Sequence, residues 1–396
     1  MQHYQYLIIG GGLTGDAAVR GIREIDNQGT IGMFSMEYYP PYARPALSKG
    51  LWKGRPIEKI WRNTQSLGVD LFLDKKIVSL DVNEKNVCDA QGVEYSYDKL
   101  LLATGCSPIK LPSVNERIIY FRNLEDYRQL RSLSEVGEKF LVIGGGFTGS
   151  EIAAALNTLG KKVEMVFFED SIGANIFPAD LSQFVNNYYL HKGVEILSND
   201  AVENISNLDE HFVVHTRSGK VLEVDGIVAG IGVRPNVELA QKAGLSIENG
   251  IKVDRFLQTS SADVYSAGDV ANFLHSALQQ RMRVEHEDNA IQMGKQAGRN
   301  MAGANETYDH SPIFYSDMFD LGYEAIGKLS SKLETIVDWK EPFKEGVIYY
   351  LENGQVCGIL MWNVWDVVTA ARTILQDAAN LKKTDLNLQL LLDKKH

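Results

Sequence analysis

At 396 residues the chain exceeds what one ordinary hydrophobic core holds and suits two or three domains. Apolar residues make up 44% and charged residues 23%, a globular balance, and no apolar run reaches the length of a membrane span. The formal charge of −11 excludes the usual nucleic-acid binder, which neutralises phosphates with Lys and Arg.

In chain order, the apolar strand Tyr6–Ile9 runs into Gly10-x-Gly12-x-x-Gly15 and then a helix from about Asp16 to Ile25. Only five residues precede that strand, too few for a leader, so a cytoplasmic location is expected. This order of strand, glycine turn and helix is the dinucleotide fingerprint. Its glycines permit the tight turn, the approach of a pyrophosphate, and close packing of helix on strand. A strand over Thr30–Phe34 should end near an acid for an adenosine ribose, where Ser35, Met36 and Glu37 stand. The prolines at 40, 41 and 45 break any helix before Ala46. Short alternating stretches at Val69–Leu73, Ile77–Val82 and Val93–Tyr97 predict a small antiparallel meander. A buried strand, Lys99 to Ala103, then leads through Thr104 to Gly105.

The plan repeats 134 residues on. Leu141-Val-Ile-Gly144-x-Gly146-x-x-Gly149 opens a second unit, and Val163–Phe168 is its next strand. Glu169 falls 20 residues after Gly149, where a ribose-binding acid is expected. Residues 211–224 alternate around Ser218-Gly219, and Val224–Gly232 echoes Tyr97–Gly105. Two dinucleotide sites follow from the duplication. Thr259–Asp269 reads as one more strand, and 285–301 has helical spacing. Beyond 306 the pattern becomes α+β. Strands are predicted at Ala325–Lys328, Thr335–Trp339, Val347–Leu351 and Val356–Trp362, and helices at 366–381 and 385–392. The fold class is therefore α/β, with two Rossmann-like domains and a C-terminal α+β domain. Its expected limits are 1–112 with 241–305, 113–240, and 306–396.

Cys88, Cys106 and Cys357 stand far apart, and the His residues show no motif such as H-E-x-x-H, so neither disulfide framework nor metal site is expected.

Further words carry a finer resemblance: Pro41-Tyr-Ala-Arg-Pro-Ala-Leu-Ser-Lys49, Val233-Arg-Pro-Asn236, Arg283-Val-Glu-His286, Tyr315-Ser-Asp317, Gly322–Gly327 and Gly358–Asn363. With the two fingerprints, the chain resembles two-dinucleotide-domain flavoproteins of the glutathione-reductase type. Within them it is similar to the ferredoxin-reductase branch and its apoptosis-inducing-factor group. That resemblance implies FAD on the first module, over Gly10, Gly12 and Gly15. Arg44 would neutralise phosphate and Asp269 would hold the ribityl chain. Ala103, Thr104, Gly105, Glu285, His286 and Tyr315 also fall on the FAD side. Lys49 matches the lysine beside the flavin, and Glu151 its ion-pair partner; a fixed cation there stabilises the anionic reduced ring. NADH is implied on the second module, over Gly144, Gly146 and Gly149. Phe147 would cover the flavin face, Glu169 would contact the ribose, and Gly232 would line the NAD side. With Glu169 and no neighbouring arginine in sequence, a preference for NADH over NADPH is expected. His286 would hydrogen-bond or protonate the ring.

Departures from the family pattern are equally legible. The acid for the FAD ribose aligns with Met36, with Glu37 one place late, so either Glu37 substitutes or the contact is lost. Tyr315 stands for a tryptophan. Only a short connection, about Lys340 to Gly346, occupies the place of a long insertion.

The resemblance implies an enzyme that moves hydride from NADH to FAD and electrons on to an external acceptor, a ferredoxin- or rubredoxin-like protein or a quinone. No redox cysteine pair follows the first glycine turn, which excludes disulfide reduction. The alternative is an NADH sensor whose long-lived charge-transfer complex controls association with a partner. The C-terminal domain is the expected dimer or partner surface.

Overall fold

The computed structural model describes residues 1–112 and 115–394. The expected domain limit between 112 and 113 abuts residues outside the described ones. Two compact units emerge: 1–45 with 55–107 and 234–312, and 46–54 with 108–233 and 313–396.

In the first unit the strands Asp70–Phe72, Ile31–Phe34, Gln2–Ile9, Glu94–Leu102 and Val264–Ser266 lie side by side and parallel. Residues 7–9, 31–34 and 100–102 are buried, as strands covered on both faces must be. Asn86–Asp89 and Ile77–Asp81 add an antiparallel extension beside the start of Glu94–Leu102. Two sequence expectations change here. Val69–Leu73 belongs to the edge of the parallel sheet instead of the meander, because the Phe72 ring stacks on Phe34 at 4.6 Å. Val93–Tyr97 and the run after Lys99 form one continuous strand, since Asp98, which reads as a turn residue, sits on the exposed face. The expected strand at Thr259–Asp269 shortens to Val264–Ser266, with Asp263 in a left-handed turn (φ 68°) just before it.

The helices Leu13–Ile25 and Glu287–Met301 pack through glycines. A Cβ on Gly298 would lie 2.0 Å from the Ala18 carbonyl oxygen, and one on Gly294 would lie 2.4 Å from that of Thr14. The pairing brings the helix after the first glycine turn against the helix that follows His286.

The second unit holds a parallel sheet in the order Glu195–Leu197, Lys162–Val166, Lys139–Ile143, Gly226–Ala229. A meander of Val202–Leu208, His211–Thr216 and Val221–Val224 accompanies it. Its C-terminal part is a five-stranded antiparallel sheet ordered Ile313–Met318, Leu321–Gly327, Gln355–Trp362, Glu345–Glu352, Glu334–Glu341. The first strand, Ile313–Met318, was not among the expected ones, and the second begins at Leu321 instead of Ala325. Their turn places Phe319 at φ 58°, without the glycine that would have flagged it. The helices Val368–Gln376 and Leu388–Asp393 follow, both shorter than predicted. The α/β class with two Rossmann-like sheets and a C-terminal α+β part therefore holds.

Candidate active site

Each glycine turn delivers its helix with exposed amides. In the first, Gly10 has φ +132°, and a Cβ there would lie 2.0 Å from the Ala103 carbonyl oxygen. A Cβ on Gly15 would meet the Gly10 carbonyl oxygen at 2.2 Å, so the turn folds tightly onto its own helix. Gly12 is the N-cap of Leu13–Ile25 and offers no side chain, which leaves first-turn N–H groups for an anion. The nearest atom to a Cβ on Gly12 would be Nη2 of Arg44, at 3.9 Å. This is a cradle with room for a phosphate and a cation at its rim.

Arg44 ion-pairs with Glu37, and its guanidinium carbon lies 5.3 Å from the Tyr42 ring centre. Burial works against its charge, but Tyr42 and then Glu37 more than offset that and hold it firmly protonated. The second oxygen of Glu37 accepts from the Tyr42 hydroxyl at 2.6 Å. Both carboxylate oxygens of Glu37 therefore face Tyr42 and Arg44, while Met36 is 65% exposed.

Thr104 Oγ1 donates to the Asn236 carbonyl (2.7 Å), and Asn236 returns bonds to the carbonyls of Thr104 and Gly105. The Asp269 carbonyl accepts from Arg283 at 3.1 Å, and Arg283 also pairs with Glu285. His286 is the extended N-cap of Glu287–Met301, and its side chain makes no capping bond. Asp16, which sequence reading passed over, is fully buried among Arg20, Arg62 and Thr64 and ties the first turn of its helix to residues 62–64.

The second turn repeats the geometry. Gly144 has φ +114° with the Gly230 carbonyl 2.4 Å from a would-be Cβ, and Gly149 meets the Gly144 carbonyl at 2.0 Å. Gly146 caps Phe147–Thr158 and has nothing within 4 Å of a Cβ, again leaving room for a pyrophosphate. Phe147 is 44% exposed, with its ring centre 6.2 Å from that of Tyr323. Glu169 accepts from Asn175 at 3.1 Å. Gly232 takes φ +104°, a conformation glycine adopts at little cost.

Within the second unit, Lys49 Nζ donates to Glu151 Oε1 at 2.6 Å. The same oxygen accepts from Ser316 Oγ at 2.6 Å, and Oε2 accepts from Ser48 Oγ at 2.6 Å. A carboxylate so buried is tolerable because three donors share its charge. The Lys49 ammonium also lies 5.2 Å from the ring centre of Tyr315. Nearby, burial and then the Glu151 charge push the hydroxyls of Tyr189 and Tyr323 well above the usual tyrosine range. Neighbouring residues of one strand, Tyr315 and Ser316, thus attend the two ends of one ion pair. Ser48 and Ser316 were legible only as letters inside the motifs, not as partners. A lysine and carboxylate so fixed can hold positive charge or pass a proton.

Sequence comparison decides the family. The pyridine nucleotide-disulphide oxidoreductase family matches residues 4–294. The chain belongs to that family. Residues 297–341 and 337–377 match the C-terminal domain of mitochondrion-associated apoptosis-inducing factor. Mitochondrial apoptosis-inducing factor 1 of Dictyostelium discoideum is 32% identical, over 99% of this chain and 82% of that protein. Monodehydroascorbate reductase 3 of Arabidopsis thaliana is 33% identical, over 90% and 89%. The putidaredoxin reductase of a covalent putidaredoxin reductase–putidaredoxin complex superposes with a TM-score of 0.91, at 25% identity and over 100% of both chains. This oxidoreductase is a ferredoxin-reductase-like flavoprotein akin to apoptosis-inducing factor, with FAD and NADH as cofactors and electrons passed on to an acceptor. Despite the family's name, no disulfide joins Cys88, Cys106 and Cys357.

Proposed function

We propose that the protein is an NADH:acceptor reductase whose acceptor is a small one-electron carrier protein of the ferredoxin kind. The observation that carries this reading is the Lys49–Glu151 pair, buried and held by two serines, in a chain with no cysteine pair to take electrons internally. Gly10, Gly12, Gly15, Arg44 and Asp269 would hold FAD, with Ala103, Thr104, Gly105, Glu285 and His286 around it. Gly144, Gly146, Gly149, Glu169 and Gly232 would hold NADH. Bound FAD supplies the exchange between a two-electron donor and one-electron acceptors. Lys49 would supply positive charge to a bound flavin, Glu151 holds the Lys49 ammonium in place, and Phe147 would shield the nicotinamide from water. The putidaredoxin complex supports a protein carrier over a quinone.

A second reading, an NADH-responsive binding protein, draws on the apoptosis-inducing-factor match of the C-terminal sheet and on the bond from that sheet's Ser316 to Glu151. Anaerobic reduction with NADH, then addition of a [2Fe–2S] ferredoxin, a quinone or air, separates the readings. Rapid reoxidation by the ferredoxin supports the reductase. Rapid reoxidation by the quinone alone changes the acceptor class. Slow reoxidation by all three supports the binding protein.

A further inference from the structure

The neighbours of Glu169 in sequence include no arginine, yet the fold brings one in from the meander. The Arg217 guanidinium carbon lies 5.1 Å from the ring centre of Phe168. Phe168 is 66% exposed and stands just beyond the strand Lys162–Val166, at the carboxyl edge of the parallel sheet. Nucleotides bind at that edge in open α/β sheets. An exposed phenyl ring with a guanidinium on one face is a surface on which a purine stacks.

Backbone and side-chain bonds fix this arrangement before any ligand arrives. The Asn199 N–H donates to the Glu169 carbonyl at 2.9 Å and the Asp200 N–H to the Phe167 carbonyl at 3.1 Å, stitching residues 199–200 along the strand end. Asp200 in turn accepts from the Ala201 N–H (2.7 Å), the Ser218 N–H (3.0 Å) and the Ser218 hydroxyl (2.6 Å). The Arg217 N–H donates to the Ala201 carbonyl at 2.8 Å. The hairpin that carries Arg217 is therefore tied to the segment that carries Phe168 and Glu169.

We infer that Arg217 is a cofactor-selectivity residue: with Phe168 it forms the adenine-stacking surface, and its charge offsets the repulsion that Glu169 exerts on a 2′-phosphate. This rests on the reading of Glu169 as the ribose acid. A carboxylate accepts from the 2′-hydroxyl of NADH and repels the phosphate of NADPH, whereas a guanidinium pairs with that phosphate in a planar fork. With Arg217 on the ring of Phe168, the residue next to Glu169 in the chain, discrimination against NADPH is weaker than the carboxylate alone would produce.

Calorimetry with two redox-silent probes, 5′-AMP and adenosine 2′,5′-bisphosphate, tests this on the FAD-loaded protein, on Arg217→Ala, Arg217→Lys and Glu169→Ala, and on the double alanine variant. Arg217 is exposed, so its variants fold. Arg217→Ala should weaken the bisphosphate about ten-fold and 5′-AMP by less, with Arg217→Lys in between. Glu169→Ala should tighten the bisphosphate, and the double variant should lose that gain. Equal effects of Arg217→Ala on both probes, or a gain in Glu169→Ala that survives loss of Arg217, overturn the inference. If Glu169→Ala changes neither probe while Arg217→Ala still costs the bisphosphate its extra affinity, Arg217 stands and the ribose contact of Glu169 falls.

Discussion

Lys49 and Glu151 meet at 2.6 Å across 102 residues of sequence, with 16% and 6% of their side chains exposed. Removing one member of such a pair strands the other charge. Lys49→Ala should cost about 3 kcal/mol in urea unfolding. Lys49→Met with Glu151→Leu should recover most of that stability. In both variants stopped-flow reduction of FAD by NADH should slow about 100-fold. A double variant that is reduced at the native rate would confine the pair to a structural role.

Ser316 supplies one of the three donors to Glu151. Ser316→Ala should lower stability by about 1–2 kcal/mol. It should also slow flavin reduction by NADH, because Glu151 then holds Lys49 with one donor fewer around its carboxylate. Ser316→Thr should restore both. A rate of flavin reduction identical in all three proteins would detach the C-terminal sheet from the Lys49–Glu151 pair.

Two glycines separate packing from binding. Gly298→Ala drives a methyl group to within 2.0 Å of the Ala18 carbonyl and should cost about 2–3 kcal/mol. Gly146→Ala meets nothing within 4 Å, so its thermal midpoint should match that of the native protein. Its affinity for NADH should nevertheless fall about ten-fold or more, because the methyl group fills the space that a pyrophosphate needs. Calorimetric NADH titration and a melting curve on the same sample check both halves.

His275 is 1% exposed, and burial, reinforced by the charge of His310, lowers its pKa to about 4. Its Nδ1 accepts from the Leu278 N–H at 3.2 Å, which the neutral ring allows. The unfolded chain takes up a proton near pH 6.5 and the folded chain only near 4, so stability falls as the pH drops between them. That window amounts to about 3 kcal/mol, and nothing is lost above pH 7. His275→Phe should flatten this limb of the curve at a fixed cost of about 1 kcal/mol. Urea midpoints between pH 4 and 7 decide it.

Much of the fold was legible because its causes are local. Gly10 and Gly144 answer to a backbone angle and a single carbonyl, and the following helices announce themselves by spacing. Other features answer to topology. Phe72 chooses the parallel sheet edge because Phe34 waits there, and Asp98 stays in a strand because its face is solvent. Nothing near Glu151 in sequence foretells Ser316, 165 residues away, and nothing near Phe168 foretells Arg217. Such partners become visible only when the sheets are assembled.

Ser48 and Lys49 lie in the short segment 46–54, which belongs to the unit completed by residues 108–233 and 313–396. On the ribosome this lysine emerges long before its companions. At about 5–20 residues per second, Glu151 follows Lys49 by roughly 5–20 s, and Ser316 follows later still. A nascent chain that already displays the first glycine turn therefore has Lys49 without its carboxylate partner. A translation product that stops short of Ile313 lacks the Ser316 hydroxyl and the Tyr315 ring, however well its nucleotide modules form.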